Sequence, residues 1–177
     1  EGAYMPYNGI DDNGQFIGFE IDLGNELCKR ASLNCAWVKN DWDSIIPNLK
    51  SGNYDTIIAG MSITEERMQE IDFTRPYTMP DPSTYVTLSG ASVDLKSGVI
   101  AAQTATIQAS FIVESGATLV EFSTPDETIA AVKNGGSFTA VRGYQGTGER
   151  YINFTQTWVR TQDCMYEKLD DLRKLVN

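Results

Sequence analysis

The sequence predicts an α/β fold. Three observations carry that prediction: strand-like and helix-like segments alternate along most of the chain, and helix starts carry capping chemistry, most completely at Thr124-Pro125-Asp126-Glu127. The third is the run around Ile57-Ile58-Ala59, apolar without alternation, as a parallel strand covered on both faces should be. With 177 residues, 41% of them apolar and 21% charged, the chain is long enough for one domain or two small lobes with a real core.

The elements follow in order. Residues 1 to 20 hold turn chemistry, Pro6-Tyr7-Asn8-Gly9 and Asp11-Asp12-Asn13-Gly14, before Phe16, Ile17 and Phe19 resume the apolar pattern, so a loop and then a hairpin are expected. From Ile21, the residues Leu23, Leu27 and Ala31 recur at steps of four and predict one helix face. Asp43-Ser44 is placed to cap a second helix with Ile45, Ile46 and Leu49 inward and Gly52 as its stop. A buried strand over Tyr54–Met61 follows, and then a third helix with Thr64 as cap and Glu65 and Glu66 in its positive first turn. Pro76, Pro80 and Pro82 mark a crossing between two lobes. The alternation then repeats: a strand at Val99–Ala102, a helix at Gln108–Ser115 ended by Gly116, a strand at Thr118–Phe122, a helix from Thr124 through Lys133, and a short strand at Ser137–Val141. Met165, Leu169, Leu172 and Val176 mark an amphipathic terminal helix.

Composition removes whole classes of function. The net charge of −10 argues against nucleic acid and against anionic membrane surfaces as partners. With no histidine, Ser-His-Asp and Cys-His nucleophiles and His-ligated metals are excluded, and no metal or other cofactor is expected. No run approaches the ~18 apolar residues of a membrane span. Cys28 and Cys35 flank a predicted helix-turn-strand reversal that can bring them to the ~5.5 Å Cα separation of a disulfide. The alternative is two buried thiols; the disulfide, with Cys164 outside it, implies an oxidising compartment.

The chemistry concentrates in residues 55 to 67. A buried strand runs out through Ala59-Gly60-Met61-Ser62 into a helix start, with Arg67 three residues past the cap. Helix N-terminal amides beside a guanidinium fork make a site for a carboxylate or phosphate. Against it stands plain surface pairing of Arg67 with Glu70 or Asp72.

These residues, together with Glu1-Gly2-Ala3-Tyr4-Met5-Pro6-Tyr7, Gly18-Phe19-Glu20-Ile21-Asp22-Leu23, Leu27-Cys28 with Cys35, Asp41-Trp42-Asp43-Ser44-Ile45-Ile46-Pro47, Asp72-Phe73-Thr74 and Pro76-Tyr77, resemble the periplasmic amino-acid-binding proteins of ABC importers in order and spacing. The similarity is to the lysine/arginine/ornithine- and opine-binding group. Between residues 92 and 141 it rests on Gln103-Thr104-Ala105-Thr106-Ile107-Gln108 and Ala130-Ala131-Val132-Lys133-Asn134-Gly135. The resemblance implies a type II periplasmic-binding-protein-like fold, two lobes with a ligand cleft: residues 1–80 as lobe 1 with the carboxylate-site arginine, 81–144 as a shortened lobe 2, and 145–177 as a divergent C-terminal segment. It implies a periplasmic protein without catalysis that captures a polar, cationic amino acid or derivative for the permease of an ABC transporter.

Carried over residue by residue, Arg67 holds the α-carboxylate, supported by amides near Ser62 and by Thr106 and Gln108 at a helix start in the second lobe. The Gly60 carbonyl and Ser62 hydroxyl take the α-ammonium, Tyr4 and Trp42 sandwich the aliphatic part, and Glu1 faces the side-chain cation. One departure is Tyr144, where the family carries an ammonium-pairing aspartate. Two other readings stand beside this one: a cyclohexadienyl dehydratase-like enzyme on the same fold, with Glu1, Glu20 or Asp43 as its acid, and a relative that binds nothing. Short termini that leave a sheet edge and an apolar helix face uncovered predict a homodimer.

Overall fold

The computed structural model describes residues 1–78, 83–91 and 94–134, and the backbone of 138–143. The chain divides into two compact units, one of residues 1–40 and 45–77, the other of 41–44 with the described residues from 78 onward.

The first unit opens with a three-stranded antiparallel sheet, β1 (Ala3–Tyr4), β2 (Asn8–Ile10) and β3 (Phe16–Ile17), in the order β1-β2-β3. The expected hairpin is its second turn. The Asp11 carboxylate accepts the N–H groups of Gln15 at 2.8 Å and Asn13 at 2.9 Å, and these bonds hold it below the usual carboxylate range. Helix α1 (Phe19–Arg30) starts without a side-chain cap. Instead the Pro6 and Tyr7 carbonyls accept the N–H groups of Phe19 and Glu20 at 3.0 and 2.9 Å. That close approach requires glycine at 18, where φ is 121° and a Cβ would stand 2.4 Å from the Tyr7 oxygen.

The buried residues of α1 are Phe19, Glu20, Ile21, Leu23 and Gly24, which corrects the predicted face: Leu27 is 51% exposed and Ala31 is also exposed. The helix is covered only over its first two turns, so a periodicity drawn through Ala31 overextends the face. Tyr7, Phe19 and Leu23 form the core of this unit, with Tyr4, Ile58 and Tyr77 packed around them.

Cys28 and Cys35 are disulfide-bonded, with their Cα atoms 6.2 Å apart. The strand expected after Cys35 does not form. The chain returns along α1, its Trp37 ring over Gly24 and its indole N–H donated to the Asn25 side-chain oxygen at 2.8 Å. Within that run Trp37 packs on the helix, while Cys35, Ala36 and Val38 are exposed. In place of the expected Asp43-Ser44 cap, a 3₁₀ turn (Trp42–Ser44) in the second unit leads directly into α2 (Ile45–Lys50). Ile45 is the buried residue of α2, and the Tyr54 hydroxyl donates to its carbonyl at 2.5 Å.

The buried strand expected over 54–61 is also corrected. A strand is defined by its ladder, and among the described residues no backbone pairs with this segment; Ala59 is buried, whereas Asp55 and Thr56 are exposed. The third predicted helix is present as α3 (Glu65–Met68), with the Thr64 hydroxyl accepting the Arg67 N–H at 3.2 Å.

A sheet covered on both faces, expected around residues 57–59, occurs instead in the second unit. Its elements are β4 (Ser83–Val86), β5 (Val99–Gln103), α4 (Ile107–Ser115), β6 (Thr118–Phe122), α5 (Pro125–Lys133) and β7 (Phe138–Gly143), with strand order β4-β7-β5-β6. β5 runs parallel to both neighbours and β4 is antiparallel on β7. Only β4 has no counterpart in the sequence reading. Ile100 and Ala102 face Ala109 and Ile112 of α4, while Ala101 faces Ile129 and Val132 of α5. Thus β5, and not 54–61, is the strand buried on both sides.

The α5 start has its complete capping box: Thr124 Oγ1 accepts the Glu127 N–H at 3.3 Å and the Thr124 N–H donates to the Glu127 carboxylate at 3.0 Å. The predicted terminal helix, Tyr144 and Cys164 lie outside the described residues. Among the described residues no helix is long and apolar enough to cross a membrane.

The disulfide closes a loop of only eight residues, so loop-closure entropy limits its contribution to about 2.5 kcal/mol. The double variant Cys28→Ser, Cys35→Ser is expected to lose up to that much in urea unfolding while keeping its circular dichroism. A larger loss would mean that the bridge does more than restrain the unfolded chain.

Candidate functional site

Two groups of predicted ligand residues are present, one in each unit. In the first unit the segment from Gly60 to Arg67 is held at both ends. At the far end, Thr64 caps α3, and the half-buried Arg67 turns its guanidinium back so that Nη1 donates to the Ser62 carbonyl at 2.9 Å. Partial burial pushes the guanidinium pKa down and Glu66 opposes the shift; an arginine stays charged through shifts of this kind. Glu70, one of the two surface partners considered for Arg67, pairs with Lys50.

At the near end, Gly60 adopts a left-handed conformation, φ 59°, with the Tyr4 ring 3.5 Å and the Glu20 carboxylate 3.6 Å from where a Cβ would stand. Tyr4 stacks on Tyr7, ring centroids 5.3 Å apart at 8°, and Tyr7 meets Phe19 edge-on. Tyr4, Gly60, Ser62 and Arg67 therefore share one small unit, and Glu1 lies in it half-buried.

Behind Gly60 is a feature that the sequence reading missed as a site component. The Glu20 side chain is fully buried, and its carboxylate receives three donors: Asn8 Nδ2 at 2.7 Å, the Gly60 N–H and the Tyr77 hydroxyl. The Gly60 N–H also lies 3.1 Å from the Tyr77 oxygen, and Asn8 Oδ1 accepts the Gly2 N–H at 2.8 Å. Burial pushes the Glu20 pKa up, against the lowering effect of Tyr77, Asn8 and Gly60. Burial, reinforced by the Glu20 charge, drives the Tyr77 hydroxyl upward as well. The sequence offered Glu20 only as a candidate acid of the enzyme alternative, since a glutamate between Phe19 and Ile21 does not by itself show which donors the fold brings to it.

The second group is built on the loop between β5 and α4. Thr106 caps α4, accepting the Ala109 N–H at 3.2 Å and donating to the Gln103 carbonyl at 2.7 Å. Ala105 stands before it at φ 54°, a conformation that costs a non-glycine residue energy and that collects at ligand-binding loops. The Trp42 indole N–H donates to the Ala105 carbonyl at 3.1 Å, so Trp42 belongs with Thr106 in this unit. Gln108 donates to the Ser83 hydroxyl at 2.9 Å. Among the described residues no cluster of His, Cys, Asp and Glu is arranged to hold a metal.

A family model of the bacterial extracellular solute-binding proteins, family 3, matches residues 1–177. The chain belongs to that family. Its fold is the α/β fold of the type II periplasmic binding proteins. As a member, this solute-binding protein is 50% identical over 72 residues to the lysine/arginine/ornithine-binding periplasmic protein of Escherichia coli (strain K12), a match covering 41% of this chain and 28% of that relative. The chain thus spans little more than a quarter of that relative's length.

Among solved structures it resembles a periplasmic His/Glu/Gln/Arg/opine family-binding protein from Silicibacter pomeroyi in complex with lysine. That match has 58% identity and a TM-score of 0.78, and covers 92% of this chain and 71% of that one. An ancestral amino acid-binding protein, described as a precursor of cyclohexadienyl dehydratase, matches at 25% identity and TM-score 0.75 over 95% of this chain and 92% of its own.

The Glu20 shift has a testable sign. A carboxyl whose folded pKa is raised binds its proton more tightly in the native state. The contribution of Glu20 to stability is therefore fully present at low pH and is lost as pH rises from the ordinary carboxylate range through the raised value. In Glu20→Gln that loss should be missing from urea unfolding measured across acid to neutral pH. An unchanged profile would mean that Glu20 titrates as an ordinary carboxyl.

Proposed function

We propose that this solute-binding protein captures a cationic amino acid or derivative in the periplasm and passes it to the permease of an ABC importer, without catalysis. The observation that carries the reading is Arg67: a guanidinium one turn inside a capped helix, braced on the Ser62 carbonyl, with Gly60 and Tyr4 in the same unit. A fork of this kind suits an α-carboxylate, and the Ser62 hydroxyl and Gly60 carbonyl beside it suit an α-ammonium. In this reading Tyr4 and Trp42 pack on the ligand's aliphatic part, Glu1 faces its terminal cation, and Thr106 and Gln108 complete the carboxylate site from the second lobe. The lobes correspond to residues 1–80 and 81–144. The relatives support the ligand class, since they are named for lysine, arginine and ornithine and one was solved with lysine.

The enzyme reading loses one of its three candidate acids. Glu20 is fully buried behind three donors, where a substrate has no access to either oxygen.

Titration calorimetry with L-lysine, L-arginine and L-ornithine tests the reading. Arg67→Ala should keep its circular dichroism and lose at least about a hundredfold in affinity, the ~3 kcal/mol of a charge-assisted hydrogen bond. Binding unchanged in Arg67→Ala would remove the assignment. A homodimer is the second partner in this reading, supported by the exposed apolar residues Ile107, Phe111 and Val113 of α4. Light scattering should return twice the chain mass, and the 19.6 kDa of one chain would overturn it.

A further inference from the structure

We propose that Glu20 is a positioning residue for ligand capture: its buried carboxylate holds Gly60 in its left-handed conformation and so sets the direction of the Gly60 carbonyl. The inference rests on the reading above for the group that this carbonyl meets, the ligand's α-ammonium. Three observations carry it.

First, the carboxylate is an unfavourable choice for stability alone. It is fully buried, and among the described residues its hydrogen-bond partners are three uncharged donors, not a Lys or Arg. A buried carboxylate without a salt bridge to Lys or Arg is costly, and an apolar side chain of the same size would serve a dry interior at least as well. What the carboxylate does that a hydrocarbon cannot is fix the donors.

Second, the donors come from the stretches that supply the predicted ligand groups of this unit. One is the N–H of Gly60 itself. Another is the Asn8 amide, whose oxygen in turn takes the Gly2 N–H, next to Glu1 and one residue before β1, where Tyr4 lies. The third, Tyr77, closes the network by approaching both Glu20 and the Gly60 N–H.

Third, Gly60 needs holding. Glycine populates both signs of φ, so a carbonyl that must face a cation at φ 59° requires an external anchor, and Glu20 provides it on the N–H side of the same residue.

Two variants of the full chain test this. In Glu20→Gln the side chain keeps the Asn8 N–H₂, and with it the Asn8 bond to Gly2, only by turning its oxygen to Asn8, which sets the new N–H₂ against the Gly60 N–H and removes that acceptor. In the pair Asn8→Asp, Glu20→Gln the amide donates to the new carboxylate, which still accepts from Gly2, and Gly60 and Tyr77 keep their acceptor. L-lysine affinity from calorimetry should drop about tenfold or more in Glu20→Gln and return to within about threefold of wild type in the pair. The Gly60 amide should shift in the ¹⁵N–¹H spectrum of Glu20→Gln and exchange with solvent faster, while other first-unit amides stay protected; a purely structural role would speed them all together.

An unmoved Gly60 amide, lysine affinity within twofold of wild type in Glu20→Gln, or no recovery in the pair each overturns the inference. Wild-type protein that binds neither lysine, arginine nor ornithine overturns the proposed function and the ammonium role together. That outcome is distinct from wild-type binding that survives in Glu20→Gln, which overturns the positioning role alone.

Discussion

The first unit depends on one buried carboxylate. Its strands are two or three residues long and its buried apolar residues are Tyr7, Phe19, Ile21, Leu23, Ile45 and Ala59, so ladder hydrogen bonds do little to hold distant segments in register and the apolar core is small. Glu20 holds such segments by receiving donors from residues 8, 60 and 77. The arrangement is strict because a donor or acceptor left unpaired in a dry interior costs about 1–3 kcal/mol. Each of the three segments is therefore fixed where the carboxylate needs it, and the Gly60–Arg67 stretch inherits that placement.

The second unit solves the same problem with hydrocarbon. Its sheet is covered on both faces, by α4 against Ile100 and Ala102 and by α5 against Ala101. On that frame the loop ahead of α4 holds Ala105 in a left-handed conformation, with its carbonyl on Trp42, and presents Thr106 as the cap. A rigid frame carrying one strained loop suits ligand contact, because the ordering cost is already met in the folded protein.

Family membership and these two constellations bear on different questions. Similarity to lysine- and arginine-binding relatives supports a ligand class. The geometry shows how two of the proposed ligand residues are held: the Arg67 guanidinium donates to the Ser62 carbonyl, and the Gly60 N–H donates to Glu20. The same burial that lets Glu20 anchor the peptide withdraws it from acid catalysis.

Sequence alone determined the elements whose causes are local. The Thr64 and Thr124 caps, Pro125 at the first helical position, the Asp11 turn and the Cys28–Cys35 pair each depend on a few neighbouring residues and were legible as such. Arg67 was legible for the same reason, through its distance from a cap. Three things were decided only by tertiary structure. Residues 35–38 and 54–61 look like strands because they are apolar, but a strand needs a partner ladder that no local pattern supplies. The buried face of α1 stops after two turns because its cover does. And Glu20 is legible in the sequence only as one of several candidate acids until the chain brings Asn8, Gly60 and Tyr77 to it, since its surroundings are set by residues up to 57 positions away.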